Sequence, residues 1–387
     1  MVNKIKKSTW LNVLVKFILA IMAIFSIPHT FAVVTCTVPD PITTTLPIAP
    51  QNITAGPDIP NGTVIYSGRF TQQGLVRVNC ISTTVPESGV VNKYLKIKSI
   101  SMPRSSYQGA GRYEHIYETG VPGIGIAIWK GGAGVSADAQ TLVSPYTINV
   151  KYASGTSTTL DSSYSFGLIK TGDISPGVIN GANFPVVISA LSNGSNMNMS
   201  EDATLATVAF SGVINVISQT CTTPDVKVEL GVYEKSQYFK GKGSTTAWKD
   251  ASIHLTNCPR FHGYYAFGAK EIEITETGAQ TIPAATANVL DLSIQPTSEI
   301  IDSANGVMAI SSAGSDEAAT GVGIQFGRGI VSGTPVPFNF AGPNRYTPPS
   351  DGSPTYTIPL VARYIQTEAD VTPGKADGKA VFTINYY

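Results

Sequence analysis

Charged residues are scarce in this sequence. Only 13% of the 387 residues are Asp, Glu, Lys or Arg, about half the share of an ordinary globular protein. Such a composition excludes a coiled coil and a basic surface built for nucleic acid. Histidine and cysteine are also rare, with four of each. Apolar residues make up 42% of the chain, and this content excludes a disordered acidic or basic polymer.

The first thirty-two residues have the pattern of a secretory signal peptide. A lysine-rich start precedes an apolar run over residues 17–27, and the small-residue site Thr30-Phe31-Ala32 follows. An N-terminal membrane anchor is the alternative, but the run is shorter than the roughly 20 residues of a membrane span. We therefore predict that residues 1–32 are removed and that the rest of the chain is exported.

The cysteines fall into an early pair and a late pair. Cys36 and Cys80 lie in the first half, and Cys221 and Cys258 lie in the second. An even number of cysteines in an oxidising compartment predicts disulfides, and the clustering favours Cys36–Cys80 and Cys221–Cys258. Metal binding is the competing use of cysteine, but the sequence has no Cys-x-x-Cys pair. We expect no metal site and no cofactor.

Nearly every periodic segment alternates apolar and polar residues. This period of two is typical of half-buried strands, and turn-forming clusters separate the segments. The clearest examples are residues 94–98, 124–129, 226–230 and 271–274. The pattern predicts an all-β fold of two tandem β-sandwich domains. We place them at residues 33–217 and 218–387, because a strand-like run over 205–216 ends just before Cys221.

The last fourteen residues have the clearest pattern in the chain. One face grades from small to large apolar residues, in the order Gly374, Ala376, Gly378, Ala380, Phe382, Ile384 and Tyr386. Such alternation predicts a strand with one buried face. A strand at the end of a chain is a natural sheet edge, and its unpaired backbone groups are open to another chain.

This C-terminal pattern resembles the last strand of chaperone–usher fimbrial subunits. The shared features are a glycine fourteenth from the end, the alternating apolar positions and the penultimate tyrosine. Four further segments are similar, in order, to the pilin domain of that family: residues 221–226, 230–231, 239–244 and 255–259. The resemblance implies that residues 218–387 form an incomplete immunoglobulin-like sandwich that lacks its last strand.

The resemblance also implies partners. In this family a periplasmic chaperone lends a strand to the open sandwich, an outer-membrane usher exports the subunit, and a neighbouring subunit then donates its own strand. Gly374, Gly378, Ala380, Phe382, Ile384 and Tyr386 would form the pairing strand. Because Cys36 follows closely on the predicted cleavage site, we expect no donor segment and a place at the fimbrial tip on the cell surface.

The two-domain layout resembles fimbrial tip adhesins, whose first domain is a lectin-like sandwich. This resemblance implies that residues 33–217 bind a host glycan or glycoprotein. Sugar sites combine aromatic faces with polar side chains, and the candidates are Trp129, Tyr113, Tyr117, Glu118 and Asp138. Trp129 has two interpretations, as a pocket wall or as a packing residue.

Two other classes of function stay open. One is a structural tip subunit, or a protein-binding adhesin, that has no glycan ligand. The other is a secreted enzyme, such as a glycosidase, whose two carboxylates need only meet in space. After signal removal the chain keeps His115, His254 and His262, but no Ser/His/Asp arrangement can be identified around them. We therefore expect a binding protein and not an enzyme.

Overall fold

The computed structural model describes residues 33–50, 52–199, 203–268, 271–311 and 317–387. The predicted signal peptide lies outside these residues. Strands make up nearly all of the regular secondary structure in the described ranges, and this confirms the predicted all-β class. The one α-helix within these ranges, α1 (Lys235–Tyr238), has four residues, and none of the helices found there is long and apolar enough to cross a membrane.

Residues 33–217 hold the first seventeen strands. They are β1 (Val34–Thr37), β2 (Ile42–Pro47), β3 (Asn52–Thr54), β4 (Val64–Thr71), β5 (Val76–Ser82), β6 (Glu87–Ser99), β7 (Ile116–Glu118), β8 (Ile124–Lys130), β9 (Ala133–Gly134), β10 (Thr141–Val150), β11 (Thr156–Leu160), β12 (Ser163–Lys170), β13 (Gly177–Asn180), β14 (Val186–Asn193), β15 (Met197–Asn198), β16 (Ala203–Ser211) and β17 (Val213–Ile217). Two 3-10 turns, Gly111–Tyr113 and Gly181–Asn183, interrupt the series.

Residues 218–387 hold the remaining strands. They are β18 (Lys249–Asp250), β19 (Ile253–Leu255), β20 (Ile272–Thr275), β21 (Gln280–Thr281), β22 (Leu290–Pro296), β23 (Ile300–Asp302), β24 (Val307–Ala309), β25 (Val322–Arg328), β26 (Val336–Pro337), β27 (Arg345–Tyr346), β28 (Tyr356–Ile358), β29 (Leu360–Gln366) and β30 (Ala380–Tyr386).

The strands of the first part form four sheets. Three of these sheets pack on one main core, while the sheet of β1 and β5 buries a separate cluster that includes Cys36, Val78 and Leu160. The strand orders of the four sheets are β11-β5-β1-β15, β10-β6-β14-β16-β2, β13-β17-β3 and β21-β20-β4-β12-β8-β7, with β9 beside β8. Strand β8 is buried on both faces because Ile126 and Ile128 pack into the main core, while Ala127 and Trp129 pack into a smaller cluster on the opposite face. The alternation over residues 124–129 therefore marks a central strand.

One sheet of the first part contains two strands from the second part. Strand β20 pairs in parallel with β4, so that Glu273 lies opposite Arg69, and β21 pairs with β20. We call residues 264–268 and 271–287 the crossing segment. Ile272 and Ile274 are fully buried in the main core of the first part, and Tyr265 joins them. The two parts thus share a core as well as a sheet.

The second part has its own core and three sheets. The orders are β18-β29-β25-β24-β23 with β26 on β25, β19-β28, and β27-β22-β30. Buried side chains from these sheets form one cluster that includes Leu292, Ile324, Phe338 and Leu360. We call this cluster the second core.

Both predicted disulfides are present. Cys36 is bonded to Cys80, on the neighbouring strands β1 and β5. Cys221 is bonded to Cys258 at the start of the second part. The clustering of the cysteines in the sequence therefore identified both pairs correctly.

The strand predicted over residues 226–230 is absent from the structure. Residues 226–230 alternate as expected, since Val226, Val228 and Leu230 pack against the second core while Lys227 and Glu229 are exposed. The structure nevertheless assigns these residues to no strand. A β-ladder requires a hydrogen-bonded neighbour, and none is present beside this segment in the described part of the chain. The alternation in this segment therefore reflects the burial of one face and not membership of a β-sheet.

Candidate functional site

The last strand lies at the edge of its sheet. Strand β30 pairs antiparallel with β22, from Ala380 opposite Pro296 to Tyr386 opposite Leu290. In the described residues no strand pairs with its other side. The predicted strand over the last fourteen residues is therefore correct for 380–386, whereas residues 374–379 lie outside the ladder. An edge of this kind presents unpaired backbone N–H and C=O groups.

A groove runs beside the start of this strand. It consists of two adjoining cavities of about 660 and 480 Å³ that share Tyr364, Ala376 and Asp377. Its floor is apolar and is formed by side chains of the second core: Ile253, Ile294, Met308, Ile324, Leu360 and Ala362. Side chains of the second core are thus exposed along the groove.

The two walls of the groove come from opposite ends of the second part. Residues 225–232, which form no strand, make one wall, and residues 376–382 make the other. Val232 at the rim is fully exposed. Each wall carries side chains of alternating burial. Residues 225–232 belong to no strand, and β30 has a strand partner on one side only in the described part of the chain.

Two glycines set the path of the chain into β30. A Cβ at Gly374 would overlap the backbone of Ala318 and Ala319, and a Cβ at Gly378 would overlap the side chains of Met308 and Ile324. The chain at Gly374 is tied to its neighbour by hydrogen bonds, since Lys375 N donates to Glu317 O at 2.8 Å and Ala319 N donates to Lys375 O at 3.0 Å. Close approach of the backbone explains why glycine occupies these positions.

The end of β30 is fixed to the first part of the chain. The backbone N–H of Tyr386 donates to the Asp58 carboxylate at 2.7 Å, and its hydroxyl accepts a hydrogen bond from Cys221 N at 3.3 Å. Burial is the main cause that raises the pKa of the Tyr386 hydroxyl. The side chain of Asn288 bridges nearby, donating to Thr54 O and to Tyr387 O. The penultimate tyrosine therefore anchors the strand.

The five residues predicted to bind sugar do not lie together in the structure. Tyr113 and Trp129 pack edge to face, with ring centroids 5.3 Å apart. Tyr117 is buried on the opposite face of the sheet, where its hydroxyl accepts a hydrogen bond from Ala137 N at 3.2 Å. Glu118 is half-buried and Asp138 is exposed. Only Trp129, of these five, lines a cavity described below, so the set as a whole does not surround one pocket.

Trp129 is a buried packing residue that also lines a cavity. Its side chain is only 2% exposed, and it packs against Tyr113 and against Phe267 of the crossing segment. It also lines a cavity together with Arg69, Arg112 and Lys130. Sequence patterns gave no sign of this neighbourhood, because Phe267 and Arg69 meet Trp129 only through the crossing segment and the order of the sheet.

The fold and the groove define an all-β chain with an open apolar core beside its last strand. Residues 208–387 match the model of the fimbrial protein family. This match confirms the predicted resemblance of the C-terminal part to fimbrial subunits. The chain is 28% identical over 182 residues to the fimbrial subunit type 1 of Salmonella typhimurium, and the alignment covers 46% of this chain and 82% of that protein.

Solved structures of fimbrial proteins are also similar to this chain. The CupB6 tip adhesin from Pseudomonas aeruginosa is 15% identical with a TM-score of 0.34, and the alignment covers 91% of this chain and 94% of that one. The Proteus mirabilis ambient temperature fimbriae adhesin AtfE is 17% identical with a TM-score of 0.27, with 46% of this chain and 100% of that chain covered.

Proposed function

We propose that this protein is a fimbrial tip adhesin that is joined to its fimbria by strand donation. Residues 218–387 act as an incomplete immunoglobulin-like pilin domain, and residues 33–217 act as the receptor-binding domain. The open edge of β30 beside the apolar groove, within a fimbrial protein domain, carries this proposal. The protein functions at the cell surface after export through the periplasm.

The groove fits an extended chain better than a small molecule. It is long, its floor is apolar, and both of its walls have backbone groups without a strand partner among the described residues. A donated strand supplies main-chain hydrogen bonds to β30, while its alternate side chains cover the second core. A periplasmic chaperone first fills this position, and a neighbouring subunit replaces it at the outer-membrane usher.

The first part supports a place at the distal end of the fimbria. Strand β1 pairs with β5 and β15 in a sheet of the first part, so residues 34–37 are held within their own domain. We propose that this domain binds a host glycan and that it performs no catalysis.

Chaperone dependence tests strand donation. We expect the full chain to accumulate in the periplasm only when its cognate chaperone is co-expressed, because the open second core is otherwise exposed to water. A chain truncated after Gly374 lacks β30 and should be lost in both cases. Soluble yield is measured after periplasmic extraction. Equal yields of the two chains, with and without the chaperone, would contradict the proposal.

A further inference from the structure

A cavity of about 350 Å³ lies on the sheet face opposite the main core of the first part. Its lining comes from β4, β8, β12 and the 3-10 turn Gly111–Tyr113 of the first part and from the crossing segment of the second. Three basic side chains meet there, Arg69, Arg112 and Lys130, with the aromatic rings of Trp129 and Phe267 between them. Neither part of the chain builds this cavity alone.

The sheet register sets the central row of side chains. Ser165 on β12 lies opposite Arg69 on β4 and opposite Trp129 on β8. Residues directly opposite each other in antiparallel strands project from the same face. A guanidinium, a hydroxyl and an indole therefore stand side by side across three strands. Glu273 of β20 continues the row beyond Arg69.

Positive charge exceeds negative charge in the lining. Glu271 is the one acidic residue that lines the cavity within the described ranges, and it accepts a hydrogen bond from Ser67 Oγ at 3.2 Å. The Arg112 guanidinium lies over the Phe267 ring, 4.7 Å from its centroid. Lys130 Nζ donates to Ser163 Oγ at 2.6 Å. Desolvation, and then the charges of Lys93 and Arg69, lower the pKa of Lys130, while the charge of Asp161 raises it.

We propose that this cavity binds an acidic sugar residue, with its carboxylate or sulfate group held by Arg69 and Lys130. The sugar ring would pack against the exposed ring of Phe267, and its hydroxyls would meet Glu271 and Ser165. Charge-assisted hydrogen bonds to a guanidinium are the strong ones, and aromatic rings suit the apolar face of a sugar. This inference rests on the proposed carbohydrate-binding function and gives its ligand class.

The test compares acidic and neutral glycans on the full exported chain, purified with its chaperone. The probes are sialylated, uronate-containing and sulfated oligosaccharides beside their neutral parents, and affinity is measured by titration. We expect the carboxylated or the sulfated series to bind at least about tenfold more tightly than the neutral series, and to weaken with added salt. Whether the carboxylated or the sulfated probes bind more tightly identifies the acid.

Matched variants assign the binding to this cavity. Arg69→Gln should weaken acidic-glycan binding about tenfold or more, whereas Arg77→Gln, at an exposed arginine of β5 outside the cavity, should leave it unchanged. Unchanged binding by Arg69→Gln, or a preference for neutral glycans, would overturn the inference of an acidic ligand in this cavity. The proposed carbohydrate-binding function would still stand. Failure to bind any glycan would overturn the proposed carbohydrate binding as well.

Discussion

Phe382→Asp should abolish recovery of this protein with its chaperone. The Phe382 side chain lies on the apolar face of β30, where it lines the groove and packs against the second core. A donated strand would enclose that face, and the new carboxylate would then be buried without a partner. Burying an isolated charge costs several kcal/mol. We expect the amount of chain that co-purifies with a tagged chaperone to fall by about tenfold or more.

Thr383→Asp is the matched control for this result. Thr383 is the next residue of the same strand, and its side chain is exposed on the opposite face. The same charge at that position should leave recovery near the wild-type level. If Phe382→Asp and Thr383→Asp co-purify with the chaperone equally well, the groove is not the surface that the chaperone covers.

Ile274→Ala should destabilise the first part of the chain from within the second. Ile274 belongs to the crossing segment, is fully buried, and packs into the main core of the first part. Removing a buried isoleucine side chain down to alanine typically costs about 2–5 kcal/mol. We expect the unfolding transition of the first part to move to a lower denaturant concentration by a corresponding amount. Trp129 fluorescence in the chaperone-bound chain follows this transition once Trp248 is replaced by Phe.

Glu273→Ala provides the comparison for Ile274→Ala. Glu273 lies one residue earlier in β20, and its side chain is exposed. Its replacement should change the free energy of unfolding by less than about 0.5 kcal/mol, as is usual for surface sites. An equal and small effect of both substitutions would mean that the crossing segment is not part of the core of the first domain.

Local patterns were enough to predict the class of fold and much of the last strand. Alternation over residues 94–98, 124–129 and 271–274 identified segments of β6, β8 and β20, because a half-buried strand must place every second side chain on one face. The same logic failed at residues 226–230. There the buried face is present, but no neighbouring strand supplies hydrogen bonds in the described structure.

Long-range pairing could not be predicted from the sequence. The parallel ladder between β4 and β20 joins residues about two hundred positions apart, and nothing in either strand specifies the other. The cavity around Trp129 depends on that ladder, since Phe267 and Glu271 come from the crossing segment. Sequence reasoning therefore found one wall of the cavity, Trp129, and missed the basic residues across the sheet. It placed Tyr117 beside Trp129, although the pleat puts them on opposite faces.

The central claim is that β30 accepts a strand from another chain. Hydrogen–deuterium exchange of residues 380–386 in the chaperone-bound protein tests this claim most directly. In the structure described here β30 is an edge strand, paired with β22 on one side. If a donated strand completes the sheet, all amides of β30 should exchange as slowly as those of the central strand β25. Fast exchange of alternate amides along β30 in the complex, as in a free edge, would contradict the account.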